Sequence, residues 1–106
     1  MVKSVSSRLM YARLKFVLRS GGVQWLRVIC AYAPTFHSLR GVKDSFFADL
    51  QAALHGVCHD EEYVIMGDFN ARVGSRLDYD EWSAVRGPYG FGQLNSSGAE
   101  LLDFFV

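Results

Sequence analysis

The chain is 106 residues long, 50% apolar, 21% charged and 14% aromatic, a composition that fits one globular domain burying about 65% of its unfolded surface and excludes a disordered or collagen-like chain. Net charge is zero only on average: residues 1–43 carry eight lysines and arginines and no acid, a charge of +8, while residues 44–106 carry three arginines against eleven acids, a charge of −8. The longest unbroken apolar run, Val28 to Ala33, is too short to cross a bilayer, so no membrane span is predicted.

The charge division admits two accounts. Either the halves attract each other within the fold, or a basic surface approaches a polyanion while carboxylates elsewhere hold a cation. Lys3, Arg8, Arg13, Lys15 and Arg19 are spread among the first apolar residues. They leave no uncharged core for a secretory signal and point to an intracellular protein, nuclear or cytoplasmic. From Met10 to Leu18 the apolar residues Met10, Ala12, Leu14, Phe16 and Leu18 fall on even positions, and Arg13, Lys15 and Arg19 on odd ones. That two-residue period predicts a strand with one wet, basic face. Ser20, Gly21 and Gly22 predict a tight turn, and Val23 to Ala33 the returning strand of a hairpin. Its second half, apolar at every position from Val28, reads as a strand entering the middle of a sheet.

Pro34 ends that strand, because proline cannot donate to the ladder. From Gly41 to Val57 the spacing becomes helical, with Phe46, Leu50, Leu54 and Val57 on one stripe and Phe47 beside it. At its C-terminal end His55, Cys58 and His59 lie close together; the imidazoles either complement the helix dipole or, as an i,i+4 pair, hold a metal. Asp60, Glu61 and Glu62 read as a solvated turn, and Tyr63 to Met66 as a short buried strand that stops at Gly67. Cys30 and Cys58, far apart and in no C-x-x-C motif, read as free buried thiols. Residues 75–96, with Gly87, Gly90 and Gly92, predict a long ordered loop. Ser97 with Glu100 predicts a capping box opening a last helix that carries Leu101, Leu102, Phe104 and Phe105. The sequence reaches Val106 inside that pattern, which is expected of a partial domain.

The chemistry sits in Gly67-Asp68-Phe69-Asn70 after one strand and Ala31-Tyr32-Ala33-Pro34 at the end of another. If the strands are neighbours, their carboxyl ends bring a carboxylate, an amide and a phenol to one rim of the sheet, a location that ligand sites favour. The carboxylate accepts a proton from water or holds a cation, the amide fixes the carboxylate or binds an oxyanion, and the phenol donates to phosphate. Together these suit phosphodiester cleavage. Taken singly, Asp-x-Asn is also a common turn, in which both side chains bond their own backbone.

Three stretches in order, Val28-Ile29-Cys30-Ala31-Tyr32-Ala33-Pro34-Thr35, then Lys43-Asp44-Ser45-Phe46-Phe47, then Val64-Ile65-Met66-Gly67-Asp68-Phe69-Asn70-Ala71-Arg72-Val73-Gly74, resemble the endonuclease/exonuclease/phosphatase superfamily. The likeness is strongest to endonuclease domains of non-LTR retrotransposons and the related craniofacial development protein 2-like proteins. It extends through Trp82, Val85, Gly87, Gly90, Gly92 and Asn95 to the Leu101 to Phe104 helix. The resemblance implies an α/β (α+β) fold, here part of a four-layer αββα sandwich, and magnesium- or manganese-dependent hydrolysis of DNA phosphodiesters. It implies catalytic roles for Tyr32, Asp68 and Asn70: Asp68 polarises water or assists the leaving oxygen, Asn70 orients it, and Tyr32 bonds the scissile group. Asp68 and Asn70 become the metal ligands, and Asn95 and Arg72 the substrate contacts.

The relatives also place an asparagine and a metal-binding glutamate upstream, and a Ser-Asp-His segment downstream, that have no counterpart in these 106 residues. Residues 1–7 contain no Glu or Asp. Magnesium takes more oxygens than Asp68 and Asn70 provide. The expectation is therefore the central portion of an endonuclease domain, not competent alone. The rivals are a non-catalytic relic or interaction module that keeps the fold, and a phosphatase of the same superfamily acting on a phospholipid or small phosphorylated molecule.

Overall fold

The computed structural model describes residues 1–75, 81–90 and 92–106. The fold is mixed α+β: a four-stranded sheet, in spatial order β1-β2-β3-β4, with two helices. Strands β1 (Val2–Ser6), β2 (Leu9–Val17) and β3 (Val23–Tyr32) form an antiparallel meander. Helix α1 (Arg40–His55) is the crossover that lets β4 (Glu61–Asp68) lie parallel to β3. Helix α2 (Ser96–Phe105) closes the chain. No helix among the described residues is long and apolar enough to cross a membrane.

The hairpin and the first helix lie where the sequence predicts them. Gly21 takes φ 88° in the turn, and the Leu18 N–H bonds the Gly22 carbonyl at 2.8 Å. The α1 stripe buries Phe46, Leu50 and Ala53 against Leu9, Ile29, Ala31 and Ala33. Ile29 and Leu50 are wholly enclosed, and each is worth about 2–3 kcal/mol relative to exposure. Phe104 of α2 joins this core through Phe47, with ring centroids 5.3 Å apart. β1 is not foreseen by the sequence, because Val2-Lys3-Ser4-Val5-Ser6 is mostly exposed and carries no clear alternation.

Five expectations are corrected. The even face of β2, expected to be the dry one, is open: Met10, Leu14 and Phe16 are 44%, 43% and 47% exposed. The helix instead covers the odd face, where Leu9 is buried and Tyr11 packs on the core. β4 runs longer than Tyr63 to Met66 and is not buried, since it is an edge strand whose Val64 and Met66 share the open face with Val28 and Cys30. Both cysteines are free, as expected, yet exposed. The last helix is capped by Asn95, whose Oδ1 accepts the Gly98 N–H at 2.8 Å, and not by Ser97. Glu100, released from a capping role, holds Arg40 in a two-pronged pair at 2.6 and 3.0 Å.

The most consequential correction concerns Glu61. It is 7% exposed and not part of a solvated turn. Its Oε1 accepts from Arg13 Nε at 2.9 Å and Arg27 Nε at 3.3 Å, and its Oε2 from the Cys58 N–H at 3.0 Å. Tyr11 and Trp25 lie under Arg27 and Arg13 at 4.5 and 4.4 Å. Burial alone would raise the Glu61 carboxyl, but the Cys58 N–H and the two guanidiniums outweigh it and hold it below the ordinary glutamate range. Part of the +8/−8 division is thus spent inside the fold, in Arg13–Glu61, Arg27–Glu61 and Arg40–Glu100.

At the far end of β4, Gly67 has φ 148°, and a Cβ there would run into the Ala31 carbonyl of β3. Gly67→Ala is expected to lower stability by roughly 3 kcal/mol in urea unfolding, through strain and a displaced strand end. For Glu61, the folded carboxyl takes up a proton less readily than the unfolded one. Its contribution is fully present above about pH 4.3, the ordinary glutamate value, and is lost as pH falls below it. Glu61→Ala, which leaves Arg27 buried without its acid, should cost about 3–5 kcal/mol at neutral pH, read from urea midpoints, and should flatten the acid limb of the stability profile.

Candidate phosphate-facing rim

The parallel pairing of β3 and β4 runs in register from Trp25 beside Glu61 to Tyr32 beside Asp68. The phenol-bearing and carboxylate-bearing residues are therefore neighbours at the carboxyl ends of adjacent strands. The Ala33 N–H bonds the Asp68 carbonyl at 2.8 Å and extends the pairing one residue further.

Beyond β4 the chain turns sharply. Asn70 takes φ 47°, a left-handed conformation that asparagine tolerates better than most residues. Its N–H donates to Asp68 Oδ1 at 2.9 Å, and its side-chain Nδ2 donates to the Ala33 carbonyl at 2.8 Å. Asn70 thus orients Asp68 through its backbone, while its amide ties the turn to the end of β3. Asp68 Oδ2 has no bonded partner among the described residues and stays open to a ligand.

Arg72 is placed by α2. The Arg72 N–H donates to Asn95 Oδ1 at 3.1 Å, and the Asn95 N–H returns a bond to the Arg72 carbonyl at 3.0 Å. Gly98 lets the first turn of the helix approach this closely, since a Cβ there would collide with the Arg72 carbonyl. One asparagine oxygen therefore both caps α2 and holds the backbone that presents Arg72. Among the described residues the Arg72 guanidinium has no acid partner.

Asp68, Asn70, Arg72 and Asn95 line one open cleft of about 430 Å³, together with Thr35, Phe36, His37 and Ala71. Tyr32 stands on the adjoining side, in a groove of about 590 Å³ lined also by Arg8, Cys30 and Met66. The Arg8 guanidinium lies 5.5 Å over the Tyr32 ring and donates to the Tyr32 carbonyl at 3.4 Å. Four of the five residues singled out in the sequence thus share a cleft, and the fifth is paired in register with Asp68. Phe36 and His37 are additions that no motif marks, and Thr35 ends the first of the motif stretches without a role assigned to it. Their signal is only that they follow Pro34, at the rim where β3 ends.

The residues present do not make a magnesium site by themselves. Among the described residues Asp68 is the one carboxylate lining the cleft, and the Asn70 Nδ2 is bonded to the Ala33 carbonyl, leaving at most its Oδ1 beside Asp68, short of the oxygen set the ion takes. Among the described residues no three His, Cys, Asp or Glu side chains converge to hold a metal. The His55 and His59 pair is not joined by a third ligand, and His55 Nε2 is hydrogen-bonded to Gln51 at 2.8 Å. The predicted long loop lies partly outside the described residues, at 76–80 and 91. Its described part is anchored: Trp82 Nε1 donates to Asp103 at 2.7 Å and Arg86 to the Val73 carbonyl at 2.9 Å.

No family model and no solved structure matches the chain. Two curated proteins match it, craniofacial development protein 2 of Tragulus javanicus and of Bos taurus, each 37% identical over 79 residues. The matched stretch is 74% of this chain but only 13% of each relative. Across 74% of its length, the chain is a relative of craniofacial development protein 2.

Proposed function

We propose that this chain is the central part of a magnesium-dependent phosphodiesterase domain of the retrotransposon-endonuclease type, and that it supplies the phosphate-facing rim without a complete metal site. The observation that carries this reading is the pairing of Tyr32 with Asp68 in register, beside an Asp68 carboxylate fixed by the Asn70 N–H. A carboxylate with one oxygen anchored and one open can accept a proton from water. Arg72, which lines the same cleft and has no acid partner among the described residues, suits a phosphate oxygen. The Tyr32 hydroxyl, at the adjoining groove, suits a second. What magnesium contributes when bound is neutralisation of charge on the phosphate; the ligands for it must come from outside the described residues.

The open sheet face supports the sandwich architecture in this reading. Met10, Leu14, Phe16, Val64 and Met66 form an apolar surface that the two helices leave uncovered, and a second sheet packed about 10 Å away is the usual cover for such a face. The same surface, with the shortage of carboxylates, favours one rival: a non-catalytic module that keeps the fold and binds through its surface. The two readings differ at the rim.

In a titration of the 106-residue protein with inorganic phosphate, the amide resonances of Asn70 and Arg72 should shift together, and Arg72→Ala should weaken the response about tenfold, the loss of one charge-assisted contact. No movement at 68–72 would contradict the phosphate reading and favour the interaction module. With magnesium and supercoiled plasmid the chain alone should not nick; nicking abolished by Asp68→Ala would contradict the claim that its metal site is incomplete.

A further inference from the structure

Thr35, Phe36 and His37 line the same cleft as Asp68 and Arg72 and belong to a turn, residues 35–38, to which neither the motif nor the fold assigns a role. It is closed by the Ser38 N–H on the Thr35 carbonyl at 3.0 Å and by a hydroxyl contact between the same two residues at 3.3 Å. Lys43, from the first turn of α1, donates to the Phe36 carbonyl at 2.8 Å, and its ammonium lies 5.2 Å from the centre of the Phe36 ring. His37 meets that ring edge-on, with centroids 5.2 Å apart. Phe36 is nevertheless 53% exposed and takes no part in the core.

An exposed phenylalanine is commonplace by itself. This one is held from its carbonyl and beside its ring, is left open to the cleft, and shares that cleft with Asp68, Asn70 and Arg72. The cleft is therefore lined by both an aromatic residue and an arginine. The ligand chemistry that matches both is a nucleotide, which joins a flat π-face to a phosphate. Lipid headgroups and sugar phosphates carry the anion without an aromatic face.

Resting on the phosphate reading above, we infer that residues 35–38 are a nucleotide-binding wall: Phe36 stacks on an unpaired base while Arg72 and His37 contact the adjoining phosphate. The substrate class is then single-stranded or locally unpaired nucleic acid. In an intact duplex the base faces are already stacked, whereas single strands offer them to aromatic side chains without much regard to sequence. His37, exposed and without a hydrogen-bond partner among the described residues, is a donor to phosphate in either ring tautomer.

Fluorescence anisotropy with two labelled probes tests this at fixed low salt: an oligothymidylate of about eight nucleotides and a backbone of equal length carrying abasic sites throughout. The protein should bind the oligothymidylate about tenfold more tightly than the abasic strand, the effect of one stacked base. Phe36→Ala should erase that preference while leaving abasic binding and the far-ultraviolet circular dichroism unchanged, and Phe36→Trp should restore it. Equal affinity for the two probes, or a preference that survives Phe36→Ala, overturns the inference. If the abasic strand still binds and Arg72→Ala weakens it, the phosphate reading stands without the stacking wall. If neither probe binds, both fall together.

Discussion

The arrangement rests on one buried carboxylate that ties three strands together. Glu61 opens β4, and its oxygens take hydrogen bonds from Arg13 on β2, Arg27 on β3 and the Cys58 backbone. A charged group buried to this degree is costly unless each partner is present, so the network tolerates little displacement. Glu61 stands beside Trp25, and seven residues on, in unbroken parallel register, Asp68 stands beside Tyr32. The ion network at one end of the pairing thereby determines which side chains meet at the other. A slip of one residue would send them to opposite faces of the sheet.

Much of the fold is legible in the residues because local signals and tertiary packing agree there. The glycine turn, the apolar second half of β3 and the Phe46–Leu50 stripe each appear close to their predicted places. Where they fail, one physical reason recurs: periodicity reveals that a strand has two faces but not which one a helix covers. On β2 the apolar even face is uncovered, and the odd face, with Arg13 on it, is turned to the buried side. Glu61 is misread for a related reason. Three consecutive acids look solvated, and the countersignal is Arg27, a cation inside an otherwise apolar strand that has to be answered by an acid. The cap of α2 is similar: Asn95, Ser96 and Ser97 all suit the role, and the bond between Asn95 Oδ1 and the Arg72 N–H selects the first.

The candidate site divides in the same way. Tyr32, Asp68 and Asn70 stand out at the ends of two strands, Arg72 and Asn95 are added by the family resemblance, and the structure gathers four of the five into one cleft with Tyr32 paired beside Asp68. Their division of labour is visible only in three dimensions. Asn95 Oδ1 is committed to holding Arg72 and α2, and the Asn70 Nδ2 to β3, while Asp68 Oδ2 and the Arg72 guanidinium carry no such bond among the described residues. Phe36 and His37 carry no spacing signal, since what brings them to the cleft is the turn after Pro34 and its tether to Lys43.

The most direct test of this account is the register of β3 against β4 in solution. Cross-strand nuclear Overhauser contacts should align Ile29 with Ile65 and Tyr32 with Asp68 in parallel, with the Ala33 amide protected from exchange by its bond to Asp68. Connectivities offset by one residue, or an antiparallel pattern, would separate Tyr32 from Asp68 and contradict the account at its foundation.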